Sequence, residues 1–193
     1  LAQSEPLYRA YRAIAEREDA ALDPVQRRVL EHALRDFRLA GVGLDPAGKL
    51  RFKDVMLELT GLQARFEENV LDATNGWSYR VTDGALLRGL NEMLVDQARR
   101  RAHDQRLEGW ILTLDQPTYV AVVTDAESDV LRRAFYEAWT TRASDQGPNA
   151  GKWDNAQVME QILRQRHEAA RILGFGNYAE YALATRMAHS VAE

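Results

Sequence analysis

The segment His167-Glu168-Ala169-Ala170-Arg171 comes nearest to a metal motif in this sequence. A zinc hydrolase of the His-Glu-x-x-His type needs histidines at i and i+4. These share one helix face and both reach the metal, while the glutamate acts as general base. The fifth position here is Arg171, whose guanidinium stays protonated and has no lone pair to give. The other histidines are His32, His103 and His189, and no two of the four lie three or four residues apart. The sequence therefore predicts no metal site and no bound zinc in this chain.

The remaining candidates resolve into ordinary surface chemistry. Glu67-Glu68 and the pair Asp125 and Glu127 could act as paired carboxylates, but such pairs usually mark solvated helix faces or caps. His103-Asp104 reads as a surface pair. Arg99-Arg100-Arg101 suggests phosphate contact, yet Asp96, Asp104 and Glu108 beside it favour a solvated helix face. Gly41-Val42-Gly43 lacks the third glycine of a dinucleotide loop and follows a helix, and Gly174-Phe175-Gly176 reads as a helix stop. Ser144 and Ser190 lack a G-x-S-x-G setting. No catalytic residue is assigned, and substrate-contacting residues stay open.

Composition narrows the class further. The chain has 193 residues, 46% hydrophobic and 28% charged, with a net charge of −4. That is globular composition with enough length for a core. There are no cysteines, so disulfide, iron–sulfur and thiol chemistry are excluded. The acidic balance argues against a general nucleic-acid binder. The longest apolar runs, such as 119–123, fall far short of the roughly 20 residues that span a membrane. The N-terminus carries no hydrophobic signal core and no initiator Met, which suggests an internal piece or a processed product. Lys49, Lys53 and Lys152 are the only lysines; every other basic residue is Arg.

The elements that would position any site are mostly helical. Leu7, Tyr11, Ile14 and Ala15 predict a helix over 5–20. Asp23-Pro24 starts a second, ended by Gly41, and Asp45-Pro46 starts a third that runs to about 72. Trp77-Ser78-Tyr79-Arg80-Val81 alternates as a short strand, and 110–114 is a second strand ended by Pro117. The two could pair across an intervening helix over 91–107. Ser128 caps the next helix. Asp154 caps another to about 173, and Asn177 opens a last one running to His189. The fold class is mainly α with a small two-stranded element near 77–81 and 110–114. The wide apolar stripes of 45–72 and 128–142 predict exposed apolar surface and a tendency to self-associate.

Residues 143–153 form a long polar loop between Trp139 and Trp153. Loops of this length are often functional or packed tightly against a neighbour. The simplest reading is that the two tryptophans anchor the loop while Asp145, Asn149 and Asp154 satisfy backbone donors.

The stretch from Thr141 through Arg142, Gly147-Pro148-Asn149 and Lys152-Trp153-Asp154-Asn155 resembles the oligopeptidases of the thimet-oligopeptidase-like family of zinc metallopeptidases. Four other segments agree in order: Glu31-His32-Ala33-Leu34-Arg35-Asp36-Phe37, Asn69-Val70-Leu71-Asp72-Ala73-Thr74 with Gly76-Trp77, Leu112-Thr113-Leu114-Asp115, and Leu173-Gly174-Phe175 with Asn177-Tyr178-Ala179-Glu180. The resemblance runs from about residue 5 to 187. It implies a long-helix array within a two-lobed, cytoplasmic zincin that hydrolyses short peptides in a channel. It also implies a zinc in the parent enzyme, held by a His-Glu-x-x-His helix and a later Glu.

That motif lies C-terminal of the matched region, so no family catalytic or metal-binding residue maps here. Residues 1–193 are expected to be one helical segment of the larger enzyme, with possible sub-divisions 1–75, 76–115 and 116–193. The segment would supply scaffold and channel wall and be inactive alone, its partners being short peptides and the rest of the same polypeptide. The alternative is a stand-alone helical module that binds peptide or protein without cutting it.

Overall fold

The computed structural model describes residues 3–17, 22–188 and 190–193. Two compact units emerge: residues 1–62 with 161–193, and residues 63–160. The division falls within two of the helices.

The first unit contains α1 (Glu5–Ala15), α2 (Pro24–Leu39), the start of α3 (Pro46–Asn75), most of α7 (Ala156–Ile172) and α8 (Tyr178–Leu183). Ser4 caps α1 by accepting from the Leu7 amide. Asp23 caps α2 in a reciprocal box with Gln26, and Pro24 supplies a preset φ at the first helical position. Asp45 opens α3 by accepting from the Gly48 amide at 2.6 Å. Tyr8 and Tyr11 rest their rings on Phe37 at 5.7 and 5.8 Å. A second cluster joins buried Phe52, Val55 and Ala169. Gly41 closes α2 with φ +79°, and a Cβ there would stand 2.9 Å from Phe52 Cδ1. Only glycine meets both demands.

The second unit is built around β1 (Ser78–Val81) and β2 (Trp110–Thr113), which pair antiparallel with Tyr79 opposite Leu112 and Arg80 opposite Ile111. A two-stranded ribbon is marginal alone. Here α4 (Glu92–Asp104) packs on β2, and α5 (Gln116–Asp125) packs on α6 (Asp129–Thr140). The shared core holds Val81, Leu94, Ala98, Leu112, Leu131 and Phe135. The predicted strand pair across a helix is thus present.

Several elements differ from expectation. The segment 116–125 is a helix, although Pro117 reads as a strand terminator. Asp115 is its N-cap and Pro117 sits in its first turn, where a missing amide costs nothing. A short 3-10 turn, Gly84–Leu87, was also unforeseen. The helix predicted over 91–107 stops at Asp104, because Arg106 takes φ 57°. The last helix ends at Leu183 rather than His189, which lies outside the described residues, as do positions 18–20 of the first predicted helix. The striped helices do expose large apolar side chains: Leu57 and Leu71 on α3, Val130 and Tyr136 on α6.

Asp115 ties strand to helix. Its carboxylate accepts from Thr113 Oγ1 at 2.6 Å, Thr118 Oγ1 at 2.9 Å and the Thr118 amide at 3.1 Å. Burial raises its pKa, but these bonds and the nearby Arg101 outweigh burial and hold it below the ordinary carboxylate value. A depressed folded pKa stabilises above the unfolded value of about 3.9 and loses that effect as pH falls through the folded pKa. Asp115→Ala is expected to cost about 1–2 kcal/mol near neutral pH, with the deficit against the parent shrinking in acid. Urea melts at a series of pH values check both.

Candidate functional site

The strongest candidate is the turn-rich segment 141–155 in the second unit. It leaves α6 at Thr141, and Ala143 takes φ 49°. Gly147 takes φ +77°, and a Cβ there would enter the Thr141 side chain. The Gly151 amide then donates to Ser144 O at 2.9 Å, and the Asn155 amide donates to Ala143 O at 2.9 Å. The chain is thereby folded back on itself before α7 begins.

Two aromatic anchors fix it. Trp139 stacks on Tyr119 with centroids 4.3 Å apart and an interplanar angle of 10°. Trp153 lies against Gly76, where any Cβ would enter the indole. Arg142 places its guanidinium 3.4 Å from the Trp139 ring centroid. Its Nε donates to Trp139 O at 3.0 Å and its Nη1 to Thr74 Oγ1 at 3.4 Å. No carboxylate pairs with it among the described residues. Burial lowers its pKa, partly opposed by Tyr119, although arginine stays charged. Lys152 lies 4.1 Å from the Trp153 ring centroid.

Asn155 is the segment's pivot and was not singled out in the sequence. It is 1% exposed. Its Nδ2 donates to Phe66 O at 3.1 Å, and its Oδ1 accepts from Asn69 Nδ2 at 2.8 Å. The side chain thus clasps α3 while its own carbonyl accepts from the Met159 amide at 2.8 Å in the first turn of α7. Of the side chains expected to meet backbone donors, Asp154 does so, accepting from the Ala156 amide at 2.9 Å. Ser144, accepting from the Gln146 amide at 3.1 Å, fills a role expected of Asp145 and Asn149. A buried Asn at such a junction looks in sequence like any polar loop residue, so only the preceding Asp-capped helix start hinted at it.

The geometry supplies rigidity and hydrogen-bond donors, with no nucleophile held against a base. The other sequence candidates lie apart from it. Glu168 pairs with Arg51 in the first unit. His103 is 91% exposed at the side chain and lies 3.9 Å from Asp104. Arg99 pairs with Asp96. Among the described residues no three His, Asp or Glu side chains are grouped to hold a metal. With Arg171 at the fifth motif position and Glu168 engaged by Arg51, the residues present do not fit a zinc site. No helix among the described residues is long and apolar enough to cross a membrane.

The described residues define a mainly helical fold with a small two-stranded antiparallel ribbon. Comparison with known proteins shows what the chain is similar to. Residues 122–193 match the model of peptidase family M3, and residues 1–49 match the neurolysin/thimet oligopeptidase N-terminal domain. The chain is 47% identical to oligopeptidase A of Escherichia coli over 97% of its own length. It is 35% identical to the organellar oligopeptidase A of Arabidopsis thaliana over 97%, and 28% identical to the dipeptidyl carboxypeptidase of Escherichia coli over 89%. The resemblance to the thimet-oligopeptidase-like peptidases is therefore shown, and the oligopeptidase A proteins are the relatives it points to. The chain spans 28%, 24% and 25% of the length of these three relatives.

Proposed function

We propose that this chain is the non-catalytic, N-terminal-to-middle portion of an oligopeptidase A-like zinc metalloendopeptidase. It forms scaffold and channel wall and is inactive by itself. The observation that carries this reading is the 47% identity sustained over 97% of the chain, with no group of three or more metal-ligating side chains among the described residues. Zinc, peptide hydrolysis and a cytoplasmic location belong to the parent in this reading. They come from the resemblance and from relatives named oligopeptidase A. The rigid 141–155 segment is the part of the wall that this reading assigns to the short-peptide channel. Its anchored indoles and the carboxylate-free Arg142 offer fixed donors and apolar faces without any group that cuts.

Reading the source gene beyond the Glu193 codon tests the proposal. An open frame encoding His-Glu-x-x-His and a later Glu is the expected result. A stop codon with no such motif would contradict it. The carboxylate-free cation of the anchored loop would then favour a helical module that binds peptide without cleaving it.

A further inference from the structure

Six asparagines occur in the chain, and Asn75 alone is followed by glycine. That pairing is chemically labile. A glycine has no Cβ, so its amide nitrogen lies open to the side-chain carbonyl of the residue before it. Packing fixes the glycine, because any Cβ at position 76 would enter the Trp153 indole. The fold also leaves the asparagine reachable. Asn75 is the last residue of α3, it is exposed, and its side-chain amide has no hydrogen-bond partner among the described residues.

One bond guards the pair. The Gly76 amide donates to Asp72 O at 2.7 Å in the closing turn of α3. While that bond holds, the nitrogen is engaged. Helix ends fray, so the nitrogen is released from time to time. The position is also consequential. Thr74, just before the pair, accepts from Arg142 Nη1 at 3.4 Å, and Gly76 seats Trp153. Asn75 is therefore the single residue between two anchor points of the 141–155 segment.

We propose that Asn75-Gly76 is a spontaneous modification site whose product loosens the 141–155 segment. When the last turn of α3 frays, the Gly76 nitrogen attacks Asn75 Cγ and gives up its proton. The new N–C bond closes a cyclic succinimide as the Cγ–Nδ2 bond breaks and ammonia leaves. Water then opens the ring at either carbonyl. One product is aspartate, which puts negative charge at a helix C-terminus. The other is isoaspartate, which adds a methylene to the main chain between Thr74 and Gly76, so that the two anchors cannot both stay seated. The step needs only water and does not rest on the peptidase reading.

The 193-residue chain, held in warm, mildly alkaline buffer and mapped by mass spectrometry beside a synthetic peptide of residues 66–80, supplies the test. Asn75 is expected to convert before the other five asparagines. It should do so about fivefold more slowly in the chain than in the peptide, the weight of one net hydrogen bond. The isoaspartyl fraction is then separated and exposed to trypsin. Cleavage after Lys152 should be about tenfold faster than in the fresh chain, since it follows the population of the open segment. Asn75→Gln, aged alongside, should gain no such sensitivity. An Asn75 that stays intact in the chain while the peptide is consumed overturns the proposal. So does an isoaspartyl fraction cut at the fresh chain's rate, or an Asn75→Gln variant that ages into the same sensitivity.

Discussion

Asn155→Ala is expected to destabilise the second unit by about 1–3 kcal/mol. The side chain is buried and both ends of its amide are used, on Phe66 O and on Asn69 Nδ2. Truncation takes a second bond from the Phe66 carbonyl, which keeps its helical partner, and leaves the half-buried Asn69 amide without its acceptor; it also loses a buried side chain's contacts, at roughly 1–3 kcal/mol in all. Asn155→Asp keeps the shape but turns a carboxylate oxygen toward the Phe66 carbonyl, so it should do no better at neutral pH. Asn69→Ala should cost less, because Asn69 is only half-buried and its loss leaves one acceptor short. Urea melts of the three variants, followed by far-UV circular dichroism, measure the order. An Asn155→Ala cost within the roughly 0.5 kcal/mol typical of surface changes would remove the pivot from this account.

Phe135→Ala is the other large effect, at about 3–5 kcal/mol for emptying a buried aromatic site. Phe135 is 0% exposed and meets Trp77 edge-to-face, with centroids 4.9 Å apart and an interplanar angle of 86°. It belongs to the same core as β1, β2, α4 and α6. Phe135→Leu refills most of the volume and should cost about 1–2 kcal/mol. The Trp77 contact gives a local readout: near-UV circular dichroism should fall in Phe135→Ala and survive in Phe135→Leu. Equal losses of stability in the two variants would mean that cavity volume does not set the cost here.

What could be read from the sequence followed the strength of each local signal. Asp23-Pro24 and Asp45-Pro46 marked helix starts because cap and preset φ coincide there. The alternation of 77–81 and the apolar run of 110–114 gave both strands and their pairing. The same N-cap chemistry at Asp115 was hidden, because Pro117 stands one place later and the run 119–123 is apolar nearly all round rather than striped. Arg106 gave no warning of its positive φ, since its type is a good helix former. The 141–155 segment stood out by length and composition, and its tryptophans were legible as anchors. Asn155 was not, because its importance comes from Phe66 and Asn69, which are 86 or more residues away in sequence.

The described residues of the first unit contain the near-miss at 167–171, and two side chains there argue against a metal. Arg171 cannot ligate, and Glu168 answers Arg51. Under the proposed function, hydrolysis therefore belongs to residues other than these.

The most direct measurement is hydrolysis of a quenched fluorescent peptide of about ten residues by the purified 193-residue chain, with zinc added and with a chelator. No cleavage above background in either condition is the predicted result. Cleavage that the chelator abolishes and added zinc restores, and that Glu168→Gln removes, would contradict the account and return the reacting group to this chain.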